Sequence, residues 1–181
     1  LLAEGARYLS QQDTRRAARA YREAITLRPD RPVAYYNLGG VLANSGHLVE
    51  GAQRYLEAKD RYPVGSGIWA QATAHAFDKL LHERCKEVAK PEWWNDEGLK
   101  ALSARVVRVA PDDETANTMR ADVLSGACGV ATWEVGPRSA AELKEAATHY
   151  EQAAVIDPAP VAKSELAGLA NWCRSRSLCR S

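Results

Sequence analysis

Residues 5–29 read GARYLSQQDTRRAARAYREAITLRP, and residues 39–63 read GGVLANSGHLVEGAQRYLEAKDRYP. Laid one over the other, Gly5 meets Gly39, Tyr21 meets Tyr55, Ala24 meets Ala58 and Pro29 meets Pro63, each pair 34 residues apart. A fixed period of this length is the mark of a repeat built from one helix–turn–helix unit. The chemistry recurs with it. A residue without a side chain lets two helices approach, a ring fills the space beside it, and a proline without an N–H ends the second helix.

Outward from this pair, the same grammar continues with stretched spacing. Prolines at 29, 63, 111 and 158 are separated by 34, 48 and 47 residues, so the two later units carry about 14 and 13 extra residues. The third unit opens with a helix expected over 68–89, Trp69 at its aromatic position. After KPEWWND it resumes over 97–109, with Leu99, Ser103 and Val106 standing where small–aromatic–small is wanted. The fourth unit has a first helix expected over 113–125 and an irregular stretch GACGVATWEVGPR. Its second helix is opened by Ser139 and Glu142, whose spacing is that of a capping box. That helix then shows Ala146, Tyr150, Ala153 and Pro158, the recurrent small, ring, small, proline series. A last helix over 161–173 is expected to cover the end of the stack, as repeat arrays need.

The chain therefore resembles the tetratricopeptide repeat family. Residues 32–63 carry that pattern as Tyr35, Leu38, Gly39, Leu42, Gly46, Tyr55, Ala58 and Pro63, departing from it with Gly51 where the family has Ala, at a cost of ~1 kcal/mol in helix propensity. The resemblance covers 1–63 and 113–158 well and 64–112 loosely. It implies an all-α helix-pair solenoid with two lengthened repeats. The repeats are expected over about 1–31, 32–63, 64–111 and 112–158, followed by a capping helix over 160–174 and a basic tail over 175–181. The chain opens part-way through its first repeat, which suggests a piece of a longer array.

Resemblance to the family also implies a binding groove lined by the first helix of each unit. Tyr36, Gly40, Ala43 and Asn44 fall there from the second unit, Ala70, Ala74, Phe77 and Asp78 from the third, and Thr118, Asp122 and Ser125 from the fourth. The lining is small, neutral and partly aromatic, which suits an apolar or helical protein segment. One family mode, a clamp of cations and amides on an acidic C-terminus, is rejected. Its positions here are Leu2, Ala6, Asn37, Gly67 and Gln71, and a carboxylate would lose its charge-assisted bonds. A second candidate surface is the insertions with Trp93, Trp94 and Trp133, since exposed indoles anchor interfaces. That surface would suit a structural subunit or assembly factor of a large complex. Trp172 is expected in the core.

Composition narrows the remaining classes. Twenty-four Lys and Arg balance 23 Asp and Glu, so no net field draws the chain to nucleic acid. The cluster Arg15, Arg16, Arg19 and Arg22, flanked by Asp13 and Glu23, reads as a solvated helix face. No apolar run approaches the ~20 residues of a membrane span. Cys85, Cys128, Cys173 and Cys179 match no zinc or redox spacing and read as free thiols of an intracellular, reducing compartment. His75, His82 and Cys85 share a helix face but lack a second ligand cluster, while His47 and His149 are expected in solvent. With no phosphate loop, nucleophile elbow or dinucleotide fingerprint, the expectation is a non-catalytic scaffold without cofactor or metal.

Overall fold

The computed structural model describes residues 1–126 and 133–179; of the irregular stretch expected before Ser139, residues 127–132, with Cys128, lie outside the described residues. Among the described residues there are nine α-helices and no strand. In chain order they are α1 Leu2–Ser10, α2 Thr14–Leu27, α3 Pro32–Asn44, α4 Leu48–Arg61, α5 Gly67–Leu81, α6 Asp96–Val109, α7 Glu114–Ser125, α8 Ala140–Ile156 and α9 Pro160–Leu178. They form two compact units, residues 1–88 and 89–181, divided inside the expected third repeat. Within each unit every helix packs on the next along the chain, α1 through α5 in the first and α6 through α9 in the second. Each unit by itself is built of tetratricopeptide-type helix pairs.

The repeating contact is visible in atoms. A methyl group built on Gly5 would stand 2.5 Å from the Tyr21 ring, and one on Gly39 would stand 3.1 Å from the Tyr55 ring. Each bare helix position is a seat for the tyrosine 16 residues later. Tyr21 and Tyr55 are accordingly buried. Burying a ring of this size contributes about 2–3 kcal/mol, and the seats set the spacing of α1 against α2 and of α3 against α4. Gly51 fits the same logic: its missing Cβ would lie 3.1 Å from the Gly39 carbonyl and the Ala43 amide. At that approach Gly51, the departure from family pattern, avoids a tight contact with backbone that sets against its helix cost.

Local signals start and stop the helices. Asp13, Ser66, Asn95 and Asp113 each accept the backbone N–H three residues on, capping α2, α5, α6 and α7. Ser139 and Glu142 form the expected reciprocal capping box at α8. Gly126 ends α7 in the left-handed region at φ +64°, and Gly46 turns α3 into α4 at φ +82°, conformations that a Cβ disfavours.

Two boundaries differ from expectation. The helix expected to reach residue 89 stops at Leu81, and a single 3-10 turn over Glu83–Cys85 follows it, placing Cys85 in the interior. The terminal helix does not stop at residue 174, where the basic tail was expected to begin, but continues to Leu178, holding Ser177 in the interior beside the turn of Cys173. Trp172, expected in the core, is 38% exposed, with the Arg176 guanidinium lying over its ring. The other face of α9, carrying Leu166, Ala170 and Cys173, is the one that meets Tyr150 and Ala147 of α8.

Candidate functional site

The face expected to bind is built in the first unit by α3, α4 and α5. Tyr55 rises from α4 between the two first-helices. Tyr36 of α3 meets its ring edge-on at 5.4 Å, and His75 of α5 stacks on it at 5.1 Å. Tyr36 and His75 lie 5.9 Å apart, so three rings from three helices make one cluster. Only the Tyr55 ring is fully interior; Tyr36 and His75 are half-buried and meet solvent. Gly40, one turn beyond Tyr36, leaves the Tyr55 hydroxyl 3.3 Å from the point where a Cβ would be. That hydroxyl makes no hydrogen bond to the described residues, and burial pushes its pKa up, with Tyr36 and Asp78 adding to the shift. The phenol is therefore a neutral hydrogen-bond donor held at an open seat. Asn44 and Asp78 are exposed along the same two helices, Asp78 paired with Lys79 at 2.6 Å.

Four expected groove residues are not open on this face. Ala43, Ala70, Ala74 and Phe77 are interior, Phe77 only 1% exposed. For the three on α5 the correction has a simple cause: α5 is apolar over most of its circumference, because Trp69, Ala70, Thr73, Phe77 and Leu80 are all buried with α4 on one side of it. The residues not expected in the groove are Tyr55, which periodicity assigned to filling space, and His75, assigned to a helix face with His82 and Cys85. A glycine pair on the first helix, facing a tyrosine two turns into the second, was the signal available.

The equivalent positions in the second unit are closed. Pro32 and Glu114 open the two first-helices, so Tyr36 corresponds to Thr118 and Gly40 to Asp122. Thr118 donates its hydroxyl hydrogen to Glu114 at 3.1 Å. Asp122 accepts the Tyr150 hydroxyl at 2.7 Å, and Ser125 lies 3.2 Å from the same oxygen. A carboxylate of the chain itself occupies the seat that Gly40 leaves empty. Below it Cys173 is buried, and burial with the nearby Asp122 charge raises its thiol to about 11, leaving it protonated and unreactive.

Beside this seat Asn117 is completely buried and fully used. Its Nδ2 donates to the Pro111 carbonyl at 2.7 Å and the Asp113 carbonyl at 2.9 Å, which leaves Oδ1 to accept from His149 Nδ1 at 2.9 Å. His149, expected in solvent, is thus half-buried, and burial pulls its pKa down.

The tryptophan insertions also turn inward. Trp94 and Trp133 are 7% and 6% exposed and meet edge-to-face at 5.8 Å, with Trp93 packed beside Trp94 at 5.7 Å. As partner anchors these residues are corrected: Trp94 and Trp133 hold the insertions, and Trp93 is half-buried. Arg138, 4% exposed, fastens the insertion after α7 by a two-pronged pair with Asp96, at 2.9 and 2.5 Å, and by donating to the Val123 carbonyl. Lys100 joins Asp96 at 3.1 Å to Glu142 at 2.7 Å. Arg138 bonding holds Asp96 down to about 2. Burial opposes ionisation of Glu142, yet Lys100 and the Ser139 cap outweigh it and also bring that carboxyl to about 2.

Among the described residues no group of three His, Cys, Asp or Glu could hold a metal ion, and no helix is long and apolar enough to cross a membrane. Cys85 and Cys173 are buried free thiols and Cys179 an exposed one.

Comparison with known proteins agrees with this architecture. The TPR repeat family matches residues 5–46, which hold most of α1 and all of α2 and α3. The crystal structure of MamA protein is similar at a TM-score of 0.61 and 15% identity, covering 99% of this chain and 85% of that one. A second crystal structure of MamA gives 0.59 and 14%, covering 97% and 89%. At such identities the likeness shows the fold. No curated protein matches the chain significantly.

Proposed function

From a chain that carries a tetratricopeptide repeat at residues 5–46 and is built of tetratricopeptide-type helix pairs, we propose a non-catalytic scaffold that holds a partner protein on the α3–α5 face of its first unit. The observation that carries this reading is the open seat at Gly40. A tyrosine hydroxyl stands there without a partner among the described residues, between two half-exposed rings. A buried-ring donor of this kind is satisfied by a carbonyl or hydroxyl from outside, while Tyr36 and His75 offer flat apolar area. An extended or helical segment with one apolar side chain and one accessible acceptor fits. Its length along the face would be set by Asn44 at one end and Gln71 at the other.

Placing a photo-crosslinking phenylalanine analogue at Tyr36, and separately at the remote exposed Val155, tests the proposal. Mass spectrometry of the products should find one partner peptide crosslinked through position 36 and absent at 155. Gly40→Asp, which imports the carboxylate of the second unit, should abolish that product with the fold intact. Equal crosslinking at both positions, or capture unchanged by Gly40→Asp, would refute binding at this face.

A further inference from the structure

The second unit shows what chemistry fits the seat on the α3–α5 face, because there the chain fills the seat itself. Asp122 stands where Gly40 stands, and its carboxylate accepts the Tyr150 hydroxyl at 2.7 Å. The group that belongs beside this phenol is therefore planar, carries an acceptor oxygen and ends a short stem. In the first unit Tyr55 offers the same hydroxyl, with no described residue accepting from it, 3.3 Å from the point where a Gly40 Cβ would be.

The surroundings of the two seats differ in one charge. Cys173 follows Tyr150 by 23 residues and is a buried thiol, whereas Asp78 follows Tyr55 by the same 23 and is a carboxylate with its side chain 51% exposed. Asp78 lies one turn beyond His75, whose ring stacks on Tyr55 at 5.1 Å. Lys79 pairs with Asp78 at 2.6 Å, which uses one of the carboxylate's several lone-pair positions. The phenol nevertheless feels the acid: after burial and Tyr36, the Asp78 charge raises the Tyr55 hydroxyl, and Lys79 does not offset it there. An incoming group thus meets a donor on α4 and an acceptor on α5.

Few side chains answer both. A carboxylate accepts from Tyr55 but brings a second negative charge against Asp78. An ammonium or guanidinium suits Asp78 but has no lone pair for the phenol. An aliphatic group leaves both unsatisfied. A serine hydroxyl serves both only through a single oxygen, without the two-ended reach of a planar group. A primary carboxamide is the neutral isostere of the Asp122 group, with one oxygen to accept and two N–H groups to donate. In glutamine its stem adds two methylenes, which suit the half-buried rings of Tyr36 and His75.

On the footing of the binding face proposed above, we infer that the partner enters this seat with a glutamine side chain, its Oε1 accepting from Tyr55 and its Nε2 donating to Asp78. The partner thereby supplies at Gly40 what Asp122 supplies within the chain, in the uncharged form that a neighbouring carboxylate demands.

Phage-displayed random peptides, panned in parallel on the wild-type chain and on Gly40→Asp, test this. Clones that wild type retains and Gly40→Asp loses should share a glutamine at one fixed position. A fluorescein-labelled synthetic copy, read by anisotropy, should bind wild type about tenfold more tightly than copies with Glu, Met or Ser at that position. Asp78→Asn should bring the Glu copy to within about threefold of the Gln copy. Tyr55→Phe should weaken the Gln copy and leave the Met copy unchanged, a pattern that unfolding cannot produce, and thermal melting of each variant checks the fold. If wild type retains no clone that Gly40→Asp loses, the α3–α5 face does not bind and the proposed function falls together with this inference. If such clones share no carboxamide, if the Glu copy binds wild type as well as the Gln copy, or if it gains nothing from Asp78→Asn, this inference fails while the proposed function stands.

Discussion

The α3–α4 pair and the α7–α8 pair are two versions of one repeat that solve the same packing problem with opposite chemistry. In the first, Tyr35 sends its hydroxyl to the Pro29 carbonyl at 3.1 Å; in the second, Asn117 sends its amide to the Pro111 carbonyl at 2.7 Å, at the same six-residue reach. In the first, the second-helix tyrosine faces a glycine and keeps an unused hydroxyl; in the second, it faces Asp122 and is bonded. The repeat thus needs a ring on the second helix and a donor reaching back to the preceding proline turn. It does not need the first-helix aromatic as such. What differs is whether the chain completes its own hydrogen bonds, and a scaffold can bind a partner where it does not.

The comparison is broken most violently through Arg138, for which the first unit has no counterpart. Arg138→Ala leaves Asp96 half-compensated by Lys100 and strips the Val123 carbonyl of a buried donor. The expected loss is about 3 kcal/mol, seen as a lower urea midpoint in tryptophan fluorescence. Trp93, Trp94 and Trp133 report on this unit, and hydrogen exchange over residues 1–88 should stay unchanged. Accelerated exchange in both units would mean that the two are not independently stabilised.

The open and closed seats are compared directly by a matched pair of substitutions. Tyr150→Phe removes a hydroxyl bonded to a carboxylate and should cost about 2 kcal/mol. Tyr55→Phe removes one that bonds no described residue and should change stability by less than about 0.5 kcal/mol. Equal costs in urea titrations would show that the Tyr55 hydroxyl has a partner within the fold.

Much of this fold was legible in residue spacing. The Gly–Tyr seats, the proline stops and the Ser139 capping box are local, and local chemistry survives in a sequence. What spacing concealed lies between residues far apart in the chain. The part played by Asn117 was hidden because its partners, Pro111 and His149, are brought to it by two different turns. Trp94 and Trp133 looked available because nothing in the sequence announces that two insertions 39 residues apart will close on each other. Ala74 and Phe77 were placed by the phase of the helix, which gives an angle but not how far the neighbouring helices wrap around it. The proposed binding face suffered most from this, since openness is a property of what neighbours leave uncovered.

Acid separates the units further. Asp96 and Glu142 are both held down to about 2, below their ordinary values of 3.8 and 4.5. Groups with depressed carboxyl pKa values contribute stability that is present above the unfolded values and is lost as pH falls through the folded ones. The second unit should therefore weaken progressively from about pH 4.5 down to about pH 2. In the first unit the one carboxyl with a resolved shift is the exposed Asp30, lowered chiefly by Arg28. Exchange in residues 89–179 should rise before exchange in residues 1–88 on acidification, and the reverse order would remove the ion-pair chain from this account.

The smallest effect distinguishes a buried amide from a ring at the same place. Because Asn117 gives both amide hydrogens to carbonyls, its Oδ1 is an acceptor, and His149 must hold its proton on Nδ1 when neutral. A second proton would go to Nε2, 3.8 Å from Glu145, where burial and the Arg120 charge oppose it more than Glu145 assists it. The folded pKa is consequently below the ordinary 6.5. Between the two values the unfolded chain binds a proton that the folded chain refuses, so stability falls as pH drops below about 6.5 and levels off once the folded value is passed. The urea midpoint should decline modestly from about pH 7.5 to about pH 5.5, and His149→Gln, which stays neutral, should flatten that slope while Tyr35→Phe leaves it as it was. A slope that survives His149→Gln would have to originate in another group, and the likeness of Asn117 to Tyr35 would then extend only to the proline carbonyl they share.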